Sequence, residues 1–192
     1  MPSCRSIQPK TDDTYPPDVW QRAARVRLLI LDVDGVLTNG FLYYGPKDEL
    51  FKVFHVRDGH GIKMAQLGGI EVAFLSGRRS DAAFSRAKEL AVTRYFEGLR
   101  DKVPVMDELC RTLTLRPEEV AAVGDELVDL PLFHRVGLAV AVADAVPEVK
   151  AKAHWLTTNS GGLGAVREVT DLILKATGAW EKLLAIWLPP TD

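Results

Sequence analysis

The chain has 192 residues, 47% of them hydrophobic, with 24 Lys and Arg against 26 Asp and Glu and a formal net charge of −2. That length and apolar content predict one domain around one core. The balanced charge, with no basic run interleaved with aromatics, argues against nucleic acid or an anionic membrane surface as partners.

Residues 1–18, rich in proline and polar side chains, are read as a flexible leader, 19–178 as the single domain, and 179–192 as a C-terminal tail. The leader lacks the apolar core of a secretory signal, and no apolar run reaches the roughly 20 residues of a membrane span, so no membrane partner and a cytoplasmic location are expected. Cys4 and Cys110 form no CxxC pair, which argues against a disulfide or thiolate metal site.

VWQRAARVR fits a short helix or an extended lead-in. LLILDVDGVLTNG, Leu28 to Gly40, then drives four aliphatic residues into Asp32 and Asp34 and turns on a glycine. Such a run reads as a buried strand of a parallel sheet, whose carboxyl end delivers functional groups to a crevice. FLYYGPKDELFKVF predicts a β-hairpin over about 41–54, with aromatic and β-branched arms around Gly-Pro-Lys-Asp. GHGIKMAQLGG predicts a helix, IEVAFLSGR a buried strand, SDAAFSRAKELAV a helix and RYFEG a short strand. DKVPVMDELCRTLTL follows as a helix, EEVAAVGDELVD as a strand entering a loop and LAVAVAD as a strand. The alternation predicts an α/β fold: a doubly wound, mainly parallel sheet flanked by helices, Rossmann-like, with a projecting hairpin.

Polar groups recur where strands end or helices begin: Asp32 and Asp34, Ser76 after VAFL, Lys102 at a helix start, Asp125 after VAAVG and Asp129 four residues later. Singly, each has a simpler account, Asp34-Gly35 as a turn, Ser76 and Asp125 as helix caps, Lys102 as an exposed helix residue. Capping does not require acidic pairs at two strand ends plus a lysine. No GxxxxGK[ST] or GxGxxG is present, and His55, His60, His134 and His154 lack metal-ligand spacing, which argues against a nucleotide-binding loop or a zinc site. His60, in RDGHG between hairpin and helix, is read as a turn residue.

Together, DVDGVLT, the Ser of LSGR, the Lys of RDKV and GDELVD resemble the four motifs of the haloacid dehalogenase superfamily of phosphohydrolases. The resemblance implies Asp32 as nucleophile forming a phosphoaspartate, with Asp34 protonating the leaving alkoxide and then deprotonating water. It implies Mg²⁺ on a carboxylate oxygen of Asp32, the backbone carbonyl of Asp34 and the Asp125 carboxylate, since an attacking carboxylate needs a cation beside a phosphate dianion. Asp129 anchors either a metal-bound water or Lys102. Ser76 and nearby backbone N–H groups, including that of Gly77, hold phosphoryl oxygens, and Lys102 neutralises charge. Response-regulator receivers also phosphorylate an aspartate, but there the acidic pair closes the first strand, the phosphoacceptor closes the third and the lysine comes last. Here Lys102 precedes Asp125.

Between Asp34 and Ser76 fit only the hairpin, one helix and one strand, and between Ser76 and Lys102 one helix and one short strand. That leaves no room for the cap domain most of the superfamily inserts, so closure is expected from a neighbouring subunit. From about Trp20 to Leu174, stretches such as FHVRDGHGIK, LSGRRSD, VGDELVDLPL and SGGLGAVREV resemble the capless 3-deoxy-D-manno-octulosonate 8-phosphate (KDO 8-phosphate) phosphatases of lipopolysaccharide precursor synthesis. This implies a phosphorylated sugar acid as substrate and a homotetramer whose hairpins pack centrally. Arg57 and Arg78 would grip the substrate with their guanidinium forks, or else serve surface ion pairs. Asn39, His55 and Leu163 stand where the family usually has Asp, Asn and Arg. These departures bear on the substrate, and nine-carbon keto acid 9-phosphates are the alternative. A non-catalytic partner subunit is the other, against which the intact Asp32/Asp34 pair argues. The tail AWEKLLAIWLPPTD is open to two readings, an arm into an adjacent site or a locally packed or frayed helix.

Overall fold

The computed structural model describes residues 14–45 and 48–188. Most of the expected leader and the hairpin tip at Pro46 and Lys47 lie outside the described residues. A helix α1 (Pro17–Ala23) begins just inside the stretch read as leader and leads into β1 (Leu28–Leu31), whose four residues are all buried. The hairpin follows as β2 (Tyr43–Gly45) and β3 (Asp48–Phe51), antiparallel with a register shift between Tyr43 and Tyr44. Then come α2 (Val56–Leu67), β4 (Glu71–Leu75), α3 (Asp81–Glu89), β5 (Arg94–Phe96) and α4 (Val103–Leu113). The chain continues through β6 (Val120–Gly124), α5 (Leu130–Phe133), β7 (Leu138–Ala141), α6 (Pro147–Lys150), β8 (Trp155–Leu156), α7 (Ala165–Ala176) and α8 (Trp180–Leu184).

One six-stranded sheet runs in the order β5-β4-β1-β6-β7-β8, with every pairing parallel. The chain builds outward from β1 through β4 and β5, returns past β1, and builds the other way through β6, β7 and β8. This is the doubly wound, Rossmann-like arrangement expected, and β1 flanks its switch point. Helices cover the sheet; α2 and α1 pack on α7, while α4 packs on α5. Among the described residues no cap domain interrupts the fold, because only the hairpin, α2 and β4 separate Asp34 from Ser76.

One local expectation needs correction. RDGHG is not a turn between hairpin and helix: α2 starts at Val56, so Arg57, Asp58 and His60 lie on its first turns. The reason is that α2 takes up glycines where two helices meet. A Cβ on Gly61 would lie 2.4 Å from the Thr170 hydroxyl of α7 and one on Gly59 2.2 Å from Arg86, so close packing overrides the low helix propensity of glycine. Of the two readings of the tail, its described part follows the locally packed helix: α8 seats Leu183 against Met64 and Leu174.

The loop 161–164 is held from both sides. Gly162 donates its N–H to the Val36 carbonyl at 2.9 Å, and a Cβ on Gly161 would meet the Gly35 carbonyl at 1.7 Å. Helix α7 has Gly164 at its N-cap and no side-chain cap of its own. The buried Asp58 of α2 supplies the missing acceptor, taking the N–H of Gly164 at 3.3 Å and of Arg167 at 2.8 Å. Asp58→Ala should therefore cost about 1–3 kcal/mol in urea denaturation, the scale for orphaned buried donors. Unchanged stability would show that those N–H groups have another partner.

Candidate functional site

Register places the site. Leu31 pairs with Phe74 on one side and Val123 on the other, so Asp32, Ser76 and Asp125 leave the sheet one or two residues past a common level. Asp32 still donates its N–H to the Val123 carbonyl at 3.2 Å, which ties it to the sheet edge. Lys102 stands at the N-cap of α4, but the Val103 N–H is accepted by Asp101 at 2.9 Å, which leaves Lys102 to turn inward.

Lys102 is only 3% exposed and donates to Asp32 and, at 2.7 Å, to Asp129 Oδ1. Asp129 Oδ2 accepts the N–H of Asp125 at 3.1 Å and of Glu126 at 3.4 Å, so one carboxylate both anchors the lysine and shapes the loop that carries Asp125. Carboxylate oxygens of Asp32, Asp125 and Asp129 lie within 4.8 Å of one another. Gly35, at φ +91°, permits this crowding, since a Cβ there would stand 2.0 Å from Asp125 Oδ2.

Three carboxylates share one ammonium, and the electrostatics reflect it. Burial, then Asp32 and Asp129, push the Asp125 carboxyl up to about 8. Burial raises Asp32 to about 6 against the pull of Lys102, with Asp129 adding to the rise. Burial opposes the charge on Lys102, but Asp32 and Asp129 outweigh it and hold its pKa above the usual lysine value. Asp125 Oδ1 is buried without a hydrogen-bond partner. An orphaned oxygen, excess negative charge and an all-oxygen donor set fit a hard divalent cation such as Mg²⁺.

The simpler accounts of these residues fail at three of four positions. Lys102 is buried rather than exposed, and Asp125 makes no side-chain cap. Ser76 caps no helix either; its Oγ accepts the Arg78 N–H at 3.2 Å and donates to the Arg78 carbonyl at 2.9 Å, while Ser80 caps α3. Asp34-Gly35 does turn the chain, yet the Asp34 side chain is not spent on the turn. It accepts from Lys52 of the hairpin arm, and Arg78 Nε lies 3.9 Å from its other oxygen. Gly77 follows Ser76 in the same loop and is exposed. Arg57 is exposed on α2, and among the described residues no hydrogen bond or ion pair joins it to the cluster.

Sequence reading missed Lys52 and Asp58. The signal for Lys52 was a lone ammonium in the apolar run LFKVF; for Asp58 it was an acid in the first turn of a helix. Of the three departures, His55 is the N-cap residue of α2 with Nδ1 4.0 Å from Asp58, Asn39 accepts the Phe41 N–H at 3.2 Å, and Leu163 is exposed.

The profile of the haloacid dehalogenase-like hydrolases matches residues 99–168, the stretch that carries Lys102, Asp125 and Asp129. A 3-deoxy-D-manno-octulosonate 8-phosphate phosphatase of Yersinia pestis is 49% identical over 168 residues, covering 86% of this chain and 90% of the relative. The structure of such a phosphatase from Moraxella catarrhalis, in complex with magnesium, phosphate and KDO, is 33% identical and superposes with a TM-score of 0.87 over 91% of this chain and 100% of that one. A cobalt-bound form of the Haemophilus influenzae phosphatase is 42% identical, with a TM-score of 0.80 over 82% of this chain and 92% of that one. Fold and cluster are thus those of a haloacid dehalogenase-like hydrolase. Within that class, the chain belongs to the family of 3-deoxy-D-manno-octulosonate 8-phosphate phosphatases.

A metal-free cluster of this kind makes stability depend on pH. The carboxyls of Asp125 and Asp32 are raised above their unfolded value of 3.8, so the folded chain binds the extra protons, and the stability they confer is lost as pH rises through about 6 and about 8. In EDTA the melting temperature should fall between pH 5 and pH 8.5. Added Mg²⁺ should restore it, and Asp125→Asn should flatten most of the profile. A flat wild-type profile in EDTA would contradict the crowded-carboxylate reading.

Proposed function

We propose that the chain is a Mg²⁺-dependent phosphomonoesterase that hydrolyses 3-deoxy-D-manno-octulosonate 8-phosphate to the free sugar acid and phosphate, in the cytoplasm, for lipopolysaccharide precursor synthesis. The observation that carries this reading is the buried Asp32, bonded to Lys102 at the carboxyl edge of the sheet beside the orphaned oxygen of Asp125. Among the described residues no helix is long and apolar enough to cross a membrane.

Asp32 attacks the phosphorus, and its new O–P bond forms as the bond to the sugar oxygen breaks. Asp34 gives that oxygen a proton, then takes one from the water that cleaves the phosphoaspartate and frees Asp32. Lys102 faces the transferring group as a cation held in place by Asp129, and Ser76 with the N–H of Gly77 binds phosphoryl oxygens once the Ser76 hydroxyl leaves the Arg78 carbonyl. Asp32, Asp125 and the backbone carbonyl of Asp34 would hold Mg²⁺, which when bound offsets the repulsion between carboxylate and phosphate dianion. Arg78, beside Asp34, is assigned to the substrate's acidic groups. Arg57 lacks a link to its own cluster and is assigned to a site across a subunit interface.

That interface is the hairpin. Phe41, Tyr43, Tyr44, Phe51 and Val53 are exposed on it, Phe51 by 81%, more apolar surface than a two-stranded projection can bury alone. We assign it to the centre of a homotetramer.

The nucleophile is tested by Asp32→Asn, which should fold and bind Mg²⁺ while losing about 10⁴-fold or more in kcat, the scale for a removed nucleophile. Substantial residual turnover would remove Asp32 from that role. The same assay across phosphorylated sugars and keto acids, nine-carbon 9-phosphates included, checks the substrate. The interface is tested by Tyr43→Glu and Phe51→Glu. Sedimentation should show a tetramer for the wild type and smaller species for the variants, whose kcat/KM should drop more for the sugar phosphate than for p-nitrophenyl phosphate. A wild-type monomer with full sugar-phosphate turnover would overturn the assignment.

A further inference from the structure

Asp34 is gripped from the hairpin. Lys52, one residue past β3, has a side chain only 3% exposed and donates to Asp34 Oδ1. Asp34 Oδ2 is buried and accepts no hydrogen bond. A second arm reaches the same carboxylate: Tyr44 of β2 accepts from Arg78 Nη2 at 3.2 Å, and Arg78 Nε stands 3.9 Å from Asp34 Oδ2. The two arms of the hairpin therefore converge on one carboxylate, directly through Lys52 and indirectly through Arg78.

A carboxyl group turns freely about its Cβ–Cγ bond unless something fixes its plane, and a proton donor misplaced by about 1 Å costs about 10²-fold. We propose that Lys52 is a positioning residue: by tying down Oδ1 it fixes the plane of the Asp34 carboxyl and so aims the proton that this group exchanges with the leaving group and with water. In the first half-reaction the carboxyl proton passes to the sugar oxygen as that oxygen parts from phosphorus. In the second, the carboxylate takes a proton from the attacking water as the phosphoaspartate opens. Lys52 keeps its own proton throughout. The lysine lies in the element assigned to the tetramer centre, so the seating of the hairpin sets the aim of the proton donor. Burial supports this over a chance surface pair, because an ammonium at 3% exposure is retained only where its partner is fixed.

The inference rests on the assignment of Asp34 as proton donor, and its test separates the two. Lys52→Met, Lys52→Gln and Lys52→Arg are compared with wild type on the sugar phosphate, whose alkoxide needs a proton, and on p-nitrophenyl phosphate, whose leaving group does not. Folding is followed by urea denaturation and assembly by sedimentation. In folded, normally assembled Lys52→Met, kcat on the sugar phosphate should fall about 10- to 100-fold, within the usual span of general acid catalysis. KM on the sugar phosphate should stay within about 2-fold, kcat/KM on p-nitrophenyl phosphate, which reports only the steps up to release of the first product, within about 3-fold, and Lys52→Arg should recover most of the loss. If Lys52→Met does not fold, Lys52→Gln carries the same expectations. A rise in KM alone would make Lys52 a substrate ligand, and equal losses of kcat/KM on both substrates would make it structural; either overturns the proposal. Inactive wild type, or an Asp34→Asn variant that releases both products at the wild-type rate, would instead overturn the assignment of Asp34.

Discussion

The site depends on an imbalance: three carboxylates brought within 4.8 Å of one another around a single buried ammonium. Left without further positive charge such a cluster destabilises the fold, because burial and mutual repulsion both disfavour ionisation. Almost every special feature nearby serves to hold it. Gly35 at positive φ makes room for Asp125, and Asp129 spends one oxygen on Lys102 and the other on the backbone of the Asp125 loop. Gly124 yields space too, since a Cβ there would lie 2.5 Å from the Asp129 carboxylate. What the crowding achieves is a preorganised excess of negative charge at one point, suited to a cation.

Support for that point comes from other parts of the chain. Asp58 holds the N-terminus of α7, Gly162 and Gly161 press the preceding loop onto residues 35–39, and those residues directly follow Asp34. Each contact is backbone-to-backbone or a buried charge on N–H groups, with little freedom to slide. The turn after β1 is thereby fixed by parts of the chain more than a hundred residues away, which a short loop could not do for itself.

Legibility in the sequence followed the locality of the signal. Buried strands such as LLIL and VAAVG declared themselves as apolar runs, and because a parallel sheet aligns its carboxyl ends, the polar residue after each run was placed correctly on one edge. Asp125 was legible in position for that reason, and Lys102 and Asp129, which follow no buried strand directly, from motif order alone. The start of α2 was not, since Gly59 and Gly61 read as turn formers and only the close approach of α7 and Arg86 explains them as helix residues. Lys52 was hidden for another reason: its partner Asp34 is eighteen residues away across a turn, and nothing local distinguishes a buried lysine in a hairpin from an exposed one. Asp58 needed the helix it caps, which lies more than a hundred residues downstream.

The missing cap and the buried Lys52 belong to one physical problem. A phosphoryl site must exclude stray water and yet admit its substrate, and capped relatives of the superfamily meet both demands with a closing domain. Among the described residues the only element inserted between the first strand and α2 is a hairpin that leaves Phe41, Tyr43, Tyr44, Phe51 and Val53 exposed. In the homotetramer proposed above, burial of the hairpin by other copies would hold Lys52 and Tyr44 in place, and through them Asp34. The cost of fixing the proposed proton donor would then fall on subunit association, which happens once, instead of on domain closure in every turnover.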